Sequence, residues 1–416
     1  MATVAQPVGR DVEIIAIVGA AHGGSHFFHL VLPPLFPLLS AEFEVGYAEL
    51  GLLVSLFFAT SGLCQTPAGF LVDRIGAARV LGGGLLCLGL GALLAALAPS
   101  YAAMLPAAVL MGLGNSVFHP ADYAILGHHV SPRRMARAFS VHTVGGTLGW
   151  AIAPVIVAGT AAVASWRVAL LLSCLIGLAL AALTLVNRRS LETPAHLEPS
   201  HEGRAAALAG HLRLFASTPI LLCFLFFALQ ATALIALQGF MPLSLHQLFG
   251  LEMVAATATV TAFMVGSAAG TLAGGMLADR SGQLQRIIVG GLALAAVILV
   301  LVGKVPMPDP ILFAAVALAG ALAGATTPSR DLLVRASAPP GASGKVFGFV
   351  YSGLDLGATL TPTFVGTLLD AGHPGAVFVL APVAMALSIL TAMSLRRPTG
   401  SDRRADPRLA TNSRGS

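Results

Sequence analysis

Gly69-Phe70-Leu71-Val72-Asp73-Arg74-Ile75-Gly76 recurs 206 residues later as Gly275-Met276-Leu277-Ala278-Asp279-Arg280-Ser281-Gly282, with five of the eight positions identical. Each copy is a tight charged turn between two long apolar runs. A turn copied at corresponding places marks a duplicated membrane bundle, an arrangement typical of transporters.

Composition agrees. Apolar residues make up 56 % of the chain and charged residues 10 %, where a soluble domain carries ~25 % charged residues. A membrane-spanning helix needs ~20 mostly apolar residues. Twelve such runs are read at 13–39, 47–71, 78–99, 102–128, 135–159, 166–187, 217–243, 252–277, 285–304, 309–336, 344–369 and 374–395. They are too long and too evenly apolar for the alternating strands of a barrel. The first run follows Asp11 and Glu13 and exceeds a signal-peptide h-region, so no cleaved leader is expected. Cys64, Cys87, Cys174 and Cys223 lie scattered inside runs and read as small core residues.

Lys and Arg set the orientation. With the N-terminus inside, 20 of the 23 basic residues fall in cytoplasmic segments, leaving Arg167, Lys304 and the intramembrane Arg330. Both termini are therefore expected in the cytoplasm. The basic balance is a topology signal and no reason to propose nucleic acid. The Arg-rich tail 396–416 reads as a solvated segment near anionic lipid.

The second half echoes the first at a shift near 208: Pro120 with Pro328, Pro132 with Pro340, Phe139 with Phe347, Gly145 with Gly353, Gly149 with Gly357 and Pro154 with Pro362. The expected fold is all-α: twelve transmembrane helices in two parallel six-helix repeats, 1–187 and 217–395. The polar segment 188–216 reads as a cytoplasmic linker. Six plus six spans with a central inside loop resemble the major facilitator superfamily, and Gly-x-Leu-x-Asp-Arg-x-Gly between spans 2 and 3 is similar to its signature. The resemblance makes Gly69, Asp73, Arg74, Gly76, Gly275, Asp279, Arg280 and Gly282 gate-motif residues. It implies that Asp73 caps span 11 near Ser343 and Gly344, and that Asp279 does likewise at span 5. A carboxylate at a helix N-terminus gains ~0.3–1 kcal/mol, so such contacts hold one side shut until it opens.

Polar groups at membrane depth are functional candidates because each costs several kcal/mol unless paired or hydrated. In span 1, His22, His26 and His29 share one helix face at spacings of four and three. They read as a proton relay, as substrate hydrogen-bonders, or as histidines bonded to backbone carbonyls. The spacing allows a metal site, but a second cluster or a nearby carboxylate in sequence is lacking, so none is expected. In span 4, Asn115, His119 and Asp122 repeat the spacing, and Pro120 frees the carbonyl of Ser116 as a hinge or ligand. Asp122 reads as a reversible protonation site or as a rim ion pair with Arg133 or Arg137. Arg330 stands where Asp122 does in the other repeat, which suggests an ion pair across the bundle axis. The alternative is an anion held by the guanidinium fork. Asp331, Asp355, His142, Gln230 and Gln238 complete the pathway candidates. Trp150 reads as packed core or cavity wall, and Trp166-Arg167 as an interface anchor.

Gly112-Leu113-Gly114-Asn115-Ser116-Val117-Phe118-His119-Pro120 and Ser25-His26-Phe27-Phe28-His29 resemble the fosmidomycin-resistance group of the superfamily. That resemblance implies export of small anionic or amphiphilic molecules in exchange for protons. Two positions depart from the pattern. Ala108 stands where drug–proton exchangers often carry Arg, and Leu30 where group members often carry an acid. Proton coupling then falls to His22, His26, Asp122 or Asp355. The function expected is alternating-access secondary transport in a bacterial cytoplasmic membrane, by a monomer, with a small molecule and protons as partners and no cofactor. An importer of a small organic acid is the alternative. A membrane enzyme would need a nucleophile–base set, His-Glu-x-x-His or a phosphate loop, and none is read. A sensor would usually carry an added soluble domain.

Overall fold

The computed structural model describes residues 8–131, 134–193, 216–281, 283–337 and 343–395. The Arg-rich tail, most of the linker, Arg133, Gly282 and the side chain of Asp279 lie outside the described residues. The helices are α1 (Val8–His29), α2 (Phe36–Phe43), α3 (Tyr47–Ile75), α4 (Ala77–Ala96), α5 (Tyr101–Asn115), α6 (Phe118–His129), α7 (Met135–Val163), α8 (Trp166–Val186), α9 (Arg188–Leu191), α10 (Thr218–Phe249), α11 (Met253–Ser281), α12 (Leu284–Lys304), α13 (Asp309–Ala325), α14 (Thr327–Ser337), α15 (Ser343–Asp370) and α16 (Val377–Ser394). Eleven of the described segments are long and apolar enough to cross a membrane, and α15, 28 residues long and eleventh in chain order, brings the set to twelve. Span 1 is α1 with α2, span 4 is α5 with α6, and span 10 is α13 with α14. The helical reading of the sequence holds at every span, because hydrocarbon leaves backbone groups no partner outside their own helix.

The two interrupted helices answer to proline. Pro120 has no N–H to donate to Ser116, and the chain breaks between Asn115 and Phe118. Pro328 repeats the break at Thr326. Both kinks lie where the sequence placed candidate polar residues.

Helices approach closely where glycine faces backbone. Gly23, Gly145 and Gly149 bring α1 onto α7. On α11, Gly266, Gly270 and Gly274 rest on the carbonyls of Ala317, Ala321 and Ala325 of α13, while Gly320 and Gly324 answer from α13. No Cβ fits at these positions, so small residues, rather than apolar burial against lipid, set the contact. Gly76, the last motif glycine, adopts φ 92° and packs against Glu192. A side chain would be strained there. The motif turn is also seated on the start of the linker: Ala77 N donates to Thr193 Oγ1 at 3.2 Å, and Arg79 lies 3.7 Å from Glu192. Asp11, fully buried, ties α1 to the α6–α7 turn through Ser131 Oγ at 3.0 Å and Arg134 at 2.8 Å.

Two bundles meet along α3 with α15 and α7 with α11. Gly51 abuts Pro362, Gly366 abuts Tyr47, Ser55 and Thr363 share a hydrogen bond of 2.9 Å, and Thr261 donates to Ala151 O at 2.7 Å. These contacts lie toward the end marked by Tyr47 and Asp370. Toward the other end Thr66, Phe70 and Asp73 of α3 are exposed. Asp73 is thus not a buried cap. The side chains of Ser343 and Gly344 lie outside the described residues.

Trp166 corrects the sequence reading. It is buried, and Arg167 lies over its ring at 4.0 Å while bonding Glu42 at 2.8 Å. The guanidinium, not the indole, faces outward.

Gly270→Val should overpack the α11–α13 contact, at a cost of ~1–3 kcal/mol. A thermal unfolding scan in detergent should show a loss of about 3–10 °C. Gly290→Ala, with open space at the added carbon, should show none.

Candidate functional site

The three span 1 histidines do share a face. His22 and His26 lie 4.5 Å apart by ring centroid, and His26 and His29 4.9 Å. The kink at Pro120 turns α6 so that His119 and Asp122 come up beside them. His142 arrives from α7 and stacks on His22 at 3.5 Å. Glycines admit this crowding: a side chain at Gly146 would strike the His22 and His26 rings.

Asp122 is fully buried. Its Oδ2 lies 3.1 Å from His22 Nδ1 and 3.0 Å from His142 Nε2. Among the described residues Oδ1 is buried with no partner. The rim pair with Arg133 or Arg137 is set aside: Asp122 is buried against two imidazoles, Arg137 is exposed, and Arg133 lies outside the described residues. Oδ2 accepts from both histidines when each carries its proton on the near nitrogen. His26 Nδ1 and His119 Nδ1 are also buried with no partner among the described residues. His119 stacks on Tyr123 at 5.8 Å, and Tyr123 is 46 % exposed. A continuous file of titratable rings therefore leads from an exposed phenol to a buried carboxylate.

His29 is different. Trp150 Nε1, which can only donate, points at His29 Nδ1 at 3.2 Å. His29 Nε2 then carries the hydrogen and donates to Asn115 Oδ1 at 3.1 Å. Ser25 Oγ donates to the same oxygen at 2.6 Å, and Asn115 Nδ2 donates to Ser61 Oγ at 2.9 Å. Both imidazole nitrogens are occupied, so His29 and Asn115 form a fixed polar brace. Trp150 is both packed and polar, since its ring stacks on His26 at 4.1 Å. Beyond His29 lies a void of about 10 Å³ between the bundles, lined by Phe36, Phe58, Gln238, Phe240 and Pro362 among others. It has room for about one water.

His22, Asp122 and His142 present three ligand atoms within 4.8 Å of one another, the carboxylate that the sequence alone did not bring near. Both nitrogens address one oxygen at hydrogen-bond length, which suits shared protons; ligands bonded to one zinc ion at ~2.0–2.2 Å stand at comparable separations.

Arg330 does not reach Asp122. Its Nε donates to the adjacent Asp331 Oδ1 at 2.9 Å, and its guanidinium lies 4.4 Å from the Phe227 ring centre. The expected pair across the axis is replaced by a local one. The flexible Arg stem folds back, although neighbouring helical positions diverge. Tyr351 Oη donates to Asp331 Oδ1 at 3.4 Å. Tyr123 of the first bundle lies within electrostatic reach of Asp331 and Tyr351 of the second, so both polar groups face one central space. Asp355 meets Gly62 at the α3–α15 seam. Gln238 is buried, with Nε2 donating to Met264 Sδ at 3.3 Å. Gln230 Nε2 is buried without a partner among the described residues.

The chain is similar to several known proteins. It is 30 % identical over 156 residues to the MFS-type transporter YfnC of Bacillus subtilis (strain 168), covering 38 % of each chain. It is 27 % identical over 278 residues to the fosmidomycin resistance protein of Escherichia coli (strain K12), covering 65 % of this chain and 66 % of that one. It is 29 % identical over 264 residues to the probable 4-methylmuconolactone transporter of Cupriavidus pinatubonensis, covering 61 % and 60 %. The chain thus spans less than two thirds of the length of each of these relatives. Among solved structures, a bacterial homologue of the human lysosomal transporter Spinster superposes with a TM-score of 0.76 at 16 % identity, over 94 % of this chain and 98 % of that one. The nucleoside transporter NupG (D323A mutant) gives 0.73 at 15 %, over 93 % and 99 %. The sequence profile of the Major Facilitator Superfamily matches residues 18–260 and 238–413. Two six-helix repeats, a duplicated charged turn and this match place the chain in the Major Facilitator Superfamily.

Proposed function

We propose that the protein is a proton-coupled exporter of small organic anions or amphiphiles, working by alternating access. The observation that carries this reading is Asp122, buried and shared by His22 and His142. A lone carboxylate anion at membrane depth costs several kcal/mol. One added proton leaves the trio neutral overall, and its loss leaves a net charge. Proton loss is thus tied to a conformation that hydrates the trio, which is what coupling requires. His119 and His142 connect the trio to Tyr123 and the central space, while His26 and the His29–Asn115 brace extend along α1.

On the second bundle, Arg330 supplies the recognition charge. Asp331 and Phe227 hold its fork, and an anionic cargo takes up part of the guanidinium's bonding. Export accords with the names of two relatives, the fosmidomycin resistance protein and the bacillibactin exporter of Bacillus subtilis (strain 168). In the orientation that the basic residues favour, the end bearing Tyr47 and Asp370 is the outer one. The described contacts then fit a state closed outside, with Asp73 freed at the inner end. The motif turns serve as the inner gate, and Gln230, Gln238 and Asp355 line the pathway.

A growth screen of cells with and without the protein, against small organic acids and amphiphilic drugs, tests the reading. Protection should vanish when the proton gradient is collapsed. Protection that survives the collapse would remove proton coupling. Asp122→Asn should abolish gradient-driven transport in inverted vesicles yet keep substrate counterflow. Unchanged gradient-driven transport would clear Asp122 of the role, and activity restored only by added Zn²⁺ after chelation would make the trio a metal centre. Arg330→Ala should raise the apparent KM for anions about tenfold or more, the scale of a lost charge-assisted hydrogen bond, and leave neutral cargo unaffected. An equal effect on both would assign Arg330 to structure alone. Asp73→Asn should slow turnover without reducing insertion or thermal stability, checked by transport rate beside an unfolding scan.

A further inference from the structure

Tyr47 and Ala48 open α3, and the first N–H groups of a helix have no partner within it. Both are met here from the opposite bundle. Asp370, the last residue of α15, accepts from Tyr47 N through Oδ1 at 2.7 Å and from Ala48 N through Oδ2 at 2.8 Å. The bidentate carboxylate also meets the positive end of the α3 dipole. Gly46 makes room: a Cβ there would lie 2.7 Å from Asp370 Oδ2 and 2.9 Å from Glu49 Oε2. Tyr101 donates to Glu49 O at 2.7 Å and steadies the same turn. Just inside, Gly366 packs on Tyr47 and Ser55 bonds Thr363. Phe36 and Phe240, 5.5 Å apart across the seam, lie alongside.

We infer that Asp370 is the positioning residue of the outer gate, latching α15 of the second bundle onto the start of α3 of the first. A carboxylate bonded to two N–H groups of the other bundle cannot follow its own helix outward without losing both. The latch and the motif acid Asp73 sit at opposite ends of the same helix pair. With the outer carboxylate engaged, Asp73 stands exposed. The inference rests on the alternating-access reading but not on the coupling ion or the cargo.

The test therefore uses neither. The full chain, with its four cysteines replaced, is placed in lipid nanodiscs without substrate or pH gradient. Spin labels at Val163 and His373 report the outer ends, and labels at Val186 and Gln283 the inner ends. Asp370→Ala should raise the ratio of outer-open to outer-closed distances about tenfold, the scale of a charge-assisted hydrogen bond, and shorten the inner distance. Asp370→Asn, which keeps one acceptor oxygen, should fall between. Gly46→Ala, which displaces the carboxylate without removing it, should move both distances the same way, and it carries the test if Asp370→Ala fails to insert. Unchanged distributions in Asp370→Asn and Gly46→Ala would overturn the latch. They would leave any Asp122→Asn coupling defect standing, so the two readings fail separately.

Discussion

A carboxylate buried at membrane depth must share its charge, and Asp122 meets that constraint with two imidazoles. The other features of the first bundle follow from bringing those rings together. Glycines on α1 and α7 let the helices close until the rings stack, and Pro120 breaks the fourth span where Asp122 must turn inward. The His29–Asn115 brace fixes the height of the span 1 face. An apolar residue at 122 would relieve the burial and remove the only fully buried acid that the described central space approaches through a file of histidines.

The repeats share a scaffold and divide the chemistry. Both interrupt a span at a proline and set a charged residue after the break. In the first bundle that residue is an acid among histidines, suited to proton exchange. In the second it is an arginine held by Asp331 and Phe227, suited to anion recognition. Tyr123 lies within electrostatic reach of Asp331. Duplication supplies matched halves, and under the proposed function divergence at one position per half separates driving force from cargo.

Much of this was legible in the residues. Hydropathy runs predict the helices to within a few positions, because hydrocarbon enforces helix length and internal bonding alike. The four-and-three spacing predicts the histidine face, and Pro120 predicts the break. Long-range partners were less legible. His142 lies 20 residues from Asp122 and His22 100 residues, and no local pattern ties them together. The supposed Asp122–Arg330 pair followed from repeat symmetry, which gives equivalent positions but not side-chain reach. Trp166 was misread because its position beside Arg167 at a span end looks like an interface anchor whichever side chain faces out. Asp370 gave no signal, since an acid at a helix end is ordinary until the opposite helix start is seen beneath it.

Under the proposed function the Asp122 carboxyl gains and loses a proton within its histidine setting. Infrared difference spectroscopy of the protein in lipid, across a pH series and with substrate added, reads that proton directly. A protonated-carboxyl band should titrate with pH, shift when substrate binds and disappear in Asp122→Asn. The same band persisting in Asp122→Asn would contradict that role.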